Sequence, residues 1–418
     1  MLNIIHFSTN DFGGAGLAAL RVHEECLSAD FNSKLYVLNK RSTSSHVYSK
    51  SSKIKRIFNA PINRYDNFKK SLFLKNRNSF YSLVGNGNVL DETALREVIT
   101  QDTNIVVLHW IAGFIDISLI ENVCREMDVK IVYYLMDMAM LTGGCHFSHG
   151  CEQYKKICAN CPETSNEQYR VKIAEHHFKQ VRYSIRLAPY AMASSKFLLD
   201  QAKDSALQFA DYLMTRPPIS KKFEYRPKAQ SSGSFKVLMG AYKRSDERKG
   251  YRDALRALAI LDSFLNEIDQ KVEVLVPSAD FEADFQSFKN ITLKIFSFAK
   301  NDEQLIALYN SADLLFNTSL DDSGPMMVLE SQMCGVPFVA TEVGVASEIA
   351  QMFPDNGEVV APSDAGKMAE KIFAAIKSQK SCAQRSAISV NVREYYNLFN
   401  GNVENLRKIG ASETANEN

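Results

Sequence analysis

An α/β fold with two doubly wound, Rossmann-like parallel-sheet domains is what this 418-residue sequence predicts, and three observations carry the prediction. Short apolar runs rich in β-branched residues alternate with amphipathic segments of helix length, the rhythm of parallel α/β structure. That rhythm stops once, in LMTRPPISKKFEYRPKAQSSGSFK, whose proline, serine and charge content reads as a linker. It then restarts and runs for a similar length, which makes two domains.

Taken in order, NIIHFS, the helical GLAALRVHEECL and SKLYVLN open the first domain, and NIVVLHW (104–110), DVKIVYYLMD (128–137) and PYAMASS (189–195) continue it to residue 215. A linker is expected over 216–234. FKVLMGA (235–241) starts the second domain, 235–385, followed by the helix DALRALAILDSFL and the strands KVEVLVP, ITLKIFSF, ADLLFNTS and VPFVAT. Residues 386–418 read as a helix and tail crossing back to the first domain, with SETANEN frayed at the end. Ligands of open α/β sheets sit outside the carboxyl ends of the strands, so two such domains facing across a cleft direct attention to the loops that follow strands.

Composition narrows the classes of function. The chain is 45% hydrophobic and 23% charged, with a formal net charge of +1, so no global field points to nucleic acid. The start, MLNIIHFSTNDFGG, has no basic n-region ahead of an apolar h-region, and no run of about 18 apolar residues occurs, which predicts a cytoplasmic chain.

Three post-strand loops carry candidate chemistry. In STNDFGGAGLAAL, Gly14 and its neighbours permit close approach of a ligand to backbone N–H groups ahead of a helix, although the spacing is not that of a dinucleotide fingerprint. GAYKRSDERKG opens at Gly240 and crowds Lys243, Arg244, Arg248 and Lys249 into one loop; such cations repel unless an anion or the neighbouring Asp246 and Glu247 compensate them. DDSGPMMVLESQMCGVPFVAT places Asp321 and Asp322 before a turn at Gly324, with Pro325 at the first helical position. The N–H groups of Met326 and Met327 are then available to phosphate, and Glu330 can accept from ribose hydroxyls.

Together FGGAG, RKG and the pattern of an acid, seven residues and Glu between Asp322 and Glu330 resemble the retaining GT-B glycosyltransferases of glycosyltransferase family 4, in particular the bacterial members that build cell-surface polysaccharides. TGGCHFSHGCEQYKKICANCP, with the preceding MDMAML, also resembles a segment of that subgroup. The resemblance implies a hexosyltransferase-type enzyme that moves a sugar from a nucleoside-diphosphate donor to a glycan or lipid-linked acceptor with retained configuration, in lipopolysaccharide or capsule synthesis. Arg248 and Lys249 would hold the donor diphosphate and stabilise its leaving charge; Glu330 would bind the ribose; Asp322 and the Met326–Met327 backbone would face the donor sugar and phosphate; Gly14 and Gly240 would let the loops approach the donor. No catalytic metal is implied, because the cations and helix termini supply the positive potential.

Two positions depart from the family pattern. Asp322 is one methylene shorter than the usual glutamate, and Met136 stands before Asp137 where the family usually has a histidine, with no hydrogen bond to offer a sugar hydroxyl. Either His109 in VLHWIAGF or His146 takes that role, or turnover is reduced. The alternative is a nucleotide- or glycan-binding protein that kept the fold without catalysis.

Outside these loops, Cys145, Cys151, Cys158 and Cys161 follow the spacing C-x5-C-x6-C-x2-C, which in a reducing compartment reads as a structural zinc site, with disulfides or free thiols as alternatives. Between residues 50 and 83, nine basic residues meet one acid, Asp66, among apolar side chains, a pattern that fits an anionic membrane surface, with RNA or a solvated helix face as alternatives.

Overall fold

The computed structural model describes residues 1–49, 72–74, 81–82, 89–216, 218–227, 233–240, 246–268, 270–277, 281–297, 299, 301–324 and 326–412. Most of the basic segment, together with Lys243, Arg244 and Pro325, lies outside them. The chain divides into two compact units, Met1–Pro218 with Asn400–Asn418, and Ile219–Phe399.

In the first unit the described residues form a seven-stranded sheet, entirely parallel, in the order β3 (Val47–Ser49), β2 (Asn32–Asn39), β1 (Asn3–Asn10), β4 (Ile105–Leu108), β5 (Lys130–Leu135), β6 (Tyr190–Ala193), β7 (Asp211–Met214). Strands covered on both faces need apolar side chains at every position, and IVVL of β4 shows it: Val106 and Leu108 pack into one cluster, Ile105 and Val107 into the other. Helix α1 (Gly13–Ser28) supplies Val22 and Cys26 to the second face, where Leu406 and Ile409 of the last helix, α13 (Asn402–Ala411), join them.

The second unit has six parallel strands in the order β10 (Ile291–Ile295), β9 (Val272–Val276), β8 (Phe235–Met239), β11 (Leu314–Asn317), β12 (Phe338–Thr341), β13 (Gly357–Val360). Ile219 and Phe223, inside the expected linker, are buried in this unit's core because the chain supplies them as apolar anchors. Likewise Val392 and Tyr396 of α12 (Cys382–Phe399) pack here, so the return to the first unit falls at Asn400 rather than at residue 386. No helix among the described residues is long and apolar enough to cross a membrane.

His6, His23, His109, His176 and His177 are all buried in the first unit. Burial pushes His109 down to about 3, His23, His176 and His177 to about 4, and His6 well below its ordinary value. The unfolded chain binds these protons near pH 6.5 and the folded unit does not, so their stabilisation is complete above that pH. It declines as pH falls below that value toward 4, as the unfolded chain takes up protons that the folded unit does not. Thermal unfolding scanned from about pH 7.5 down to about pH 5 should therefore show a steep fall of the first unit's midpoint; a flat midpoint would contradict it.

Candidate functional site

In the second unit, the functional side chains gather at the carboxyl ends of β8 and β11. Gly240 follows β8, and its N–H donates to the Phe316 carbonyl at 2.8 Å. A methyl there would sit 3.0 Å from Asn317 Nδ2, so the two strand ends run close together. Glu247–Lys249 form a single turn of 3₁₀ helix that ends on Gly250, which has φ +64° and leads into α6 (Tyr251–Leu265). The loop after β11 is strapped to this turn: the Leu320 N–H donates to the Arg248 carbonyl at 2.7 Å and the Thr318 hydroxyl to the Lys249 carbonyl at 2.9 Å.

That strapping brings four charges together. Lys249 Nζ lies 2.5 Å from Asp322 Oδ2 and Arg248 Nη1 3.4 Å from the same oxygen, while Arg248 Nη2 pairs with Asp246 at 3.1 Å. All four side chains are largely buried, with formal charges that cancel, so the cations are held in place by their own acids rather than left to repel each other. Burial works against ionisation of Asp322, but Lys249 and Arg248 outweigh it and hold the carboxyl below the usual carboxylate range. Asp322 thus spends its charge on the two cations in this geometry. Sequence reasoning saw Asp246 only as a neighbour and missed that Asp322 orients both basic residues.

Helix α9 (Met326–Met333) begins four residues beyond Asp322, with Met326 and Met327 in its first turn, where N–H groups have no partner within the helix. Glu330 is buried on this helix, and its Oε2 accepts the Tyr309 hydroxyl at 2.9 Å. Tyr309 comes from α8 (Asp302–Ser311), and nothing in the sequence marks it beyond an apolar helical position.

In the first unit, Gly16 lets α1 approach β1: a methyl there would meet the Asn10 carbonyl oxygen at 2.7 Å. Gly14 is different, since among the described residues no atom outside its chain neighbours and its own helix backbone lies within 4 Å of the position its Cβ would take. Gly14→Ala should leave the unfolding free energy within about 0.5 kcal/mol of wild type, while a ligand that uses this space would bind more weakly; equal loss of stability and binding would show a structural glycine instead.

His109, a candidate at the end of β4, is turned into the interior. Its Nε2 lies 3.1 Å from His6 Nδ1, and the two rings stack with centroids 5.4 Å apart. Asp137, just past β5, pairs with His146 at 2.8 Å.

Cys145, Cys151, Cys158 and Cys161 line one cavity of about 170 Å³ with Tyr81, Phe147 and Ile173, and all are free thiols. Burial pushes the Cys158 thiol up to about 12 and raises Cys145 and Cys161 as well. Among the described residues, no group of three or more His, Cys, Asp and Glu side chains is placed to hold a metal ion.

The two parallel-sheet, Rossmann-like units are those of the GT-B fold of glycosyltransferases. Residues 222–391 match the model of the family described as glycosyl transferases group 1, a stretch that holds Arg248, Lys249, Asp322 and Glu330. Over 346 residues the chain is 24% identical to WcaC of Escherichia coli (strain K12), which is named a colanic acid biosynthesis glycosyl transferase; the match covers 76% of this chain and 80% of WcaC. Among solved structures, WaaG, a glycosyltransferase involved in lipopolysaccharide biosynthesis, has a TM-score of 0.60 at 16% identity, covering 98% of this chain and 100% of WaaG. HepE of Anabaena, solved with UDP and glucose, reaches 0.57 at 12% identity over 99% of this chain and 100% of HepE. TarM reaches 0.62 at 11% identity, with 99% of each chain covered. At such identities the solved structures establish the fold.

Proposed function

We propose that the protein is a retaining glycosyltransferase that moves a hexose from a nucleoside-diphosphate donor to a glycan or lipid-linked acceptor in surface polysaccharide synthesis. One observation carries the reading: Arg248 and Lys249 are pinned by Asp322 and Asp246 at the carboxyl edge of a parallel sheet, close in sequence to a helix N-terminus. A diphosphate bound there meets two cations already oriented, which favours charge that grows as the sugar leaves.

In this scheme the bond between the anomeric carbon and the diphosphate oxygen breaks, and Lys249 and Arg248 stabilise the departing phosphate. The acceptor hydroxyl attacks from the same face and gives its proton to that phosphate. Glu330, fixed by Tyr309, accepts hydroxyls of the ribose.

Glu330→Gln keeps an oxygen for the Tyr309 hydroxyl but weakens acceptance from ribose, so donor Kd should rise roughly tenfold with little change in kcat; calorimetry and initial rates measure both. Incubation with UDP-, GDP- and ADP-sugars, read by mass spectrometry and by NMR of the product anomer, tests the whole reading. Transfer with inversion would remove retention, and turnover of no donor would remove the enzyme.

A further inference from the structure

Helix α4 (Glu167–Leu187), in the first unit, carries two faces, and only one of them is needed for the fold. Tyr169, Ile173, His176, His177, Gln180 and Ser184 are buried and fasten it to the unit. A surface helix fastened in this way has a charged or polar opposite face as its default. Here Val171 is 49%, Phe178 53% and Ile185 54% exposed. Single exposed apolar residues are ordinary, but these three fall seven residues apart and so stand in one row along roughly 21 Å of helix.

The half-buried Ala174 and Val181 fill the intervals. Val171, Ala174, Phe178, Val181 and Ile185 then alternate in steps of three and four, which is the apolar seam by which one helix packs on another. Two exposed charges border the seam, Glu175 after Ala174 and Arg182 after Val181, again seven residues apart. Among the described residues neither has an ion-pair partner.

Those charges decide what the seam fits. An anionic lipid surface would repel Glu175 on the very face that has to be buried. A second copy of the same helix, laid antiparallel about a two-fold axis at Phe178, meets both charges with their opposites. Val171 then faces the partner's Ile185, Phe178 faces its own copy, and Glu175 comes beside the partner's Arg182. The axis makes each contact twice, so the row is complementary to itself, as an isologous interface requires.

We propose that α4 is a self-association surface through which two copies of this chain pair by antiparallel helix packing. One helix from each copy makes a small interface, so the dimer is reversible and forms with rising concentration. It is independent of the glycosyltransferase reading, since no nucleotide or sugar takes part in it.

Sedimentation equilibrium of the full chain from about 1 to about 200 µM tests the pairing. The wild type should pass from one chain mass toward two. Phe178→Asp puts a charge at the centre of the seam, and Arg182→Glu sets it against the partner's Glu175; each should raise the dissociation constant tenfold or more. The double reversal Glu175→Arg with Arg182→Glu should return it to within about threefold of wild type. All these positions face solvent in the single chain, and circular dichroism should show each variant folded. A single chain mass at every concentration overturns the proposal, as do variants that associate like wild type or a double reversal that restores nothing. Vesicles of phosphatidylglycerol and phosphatidylcholine supply the other arm: retention of a monomeric wild type, lost in Phe178→Asp, would give the row to lipid and overturn the pairing.

Discussion

Lys249→Ala is expected to lower kcat by about 10²- to 10³-fold, the loss typical when one preorganised donor is removed from a centre of developing charge. Its ammonium lies 2.5 Å from Asp322, which fixes its position before any ligand arrives. Removing it leaves Arg248 as the nearer partner of Asp322, at 3.4 Å, and frees a buried carboxylate that would repel the donor phosphates. Donor affinity should therefore fall with kcat. Asp322→Asn in the same background should recover part of the affinity, because it removes the uncompensated charge. Steady-state kinetics on the four combinations check this, and additive losses would show that the two residues do not act as a pair.

Gly250→Ala is expected to cost more than any surface change, through geometry rather than charge. Its φ of +64° is strained for alanine by roughly 1–3 kcal/mol, and the added Cβ would lie 1.9 Å from the Thr318 carbonyl oxygen. Either the 3₁₀ turn that carries Arg248 and Lys249 shifts, or the loop after β11 does. Both ways the strap between them is lost, together with the register of Lys249 on Asp322. Denaturant unfolding should show the second unit destabilised by at least about 2 kcal/mol, with donor binding lost where folding survives. Wild-type stability in this variant would show that the turn is not held as described.

Much of the fold was legible because both-face burial writes itself into runs such as IVVL, and because proline-rich chain separates the two restarts of the α/β rhythm. The limits of the units were less so: Ile219, Phe223, Val392 and Tyr396 are apolar anchors whose destination depends on tertiary packing. Within the site, loop positions after strands pointed to Arg248, Lys249 and Asp322, and RKG marked the turn. What spacing could not show was pairing. Tyr309 with Glu330, Asp246 with Arg248 and Asp137 with His146 are each joined by side-chain geometry that local pattern leaves open. His109 adds a further contact of this kind, since its ring stacks on that of His6 and lines a cavity with Asp137, neither of which its local pattern writes. The four cysteines announced a cluster, yet their spacing does not say whether their sulfurs converge on one centre.

In the proposed function, Arg248 and Lys249, held by Asp322, bind a nucleoside diphosphate. Isothermal titration of the wild-type chain and of Lys249→Ala with UDP, GDP and ADP tests it most directly. At least one nucleotide should bind with a stoichiometry of about one, and Lys249→Ala should weaken it by tenfold or more, on the order of 1.4 kcal/mol. Binding of none of the three, or equal affinity in wild type and variant, would contradict it.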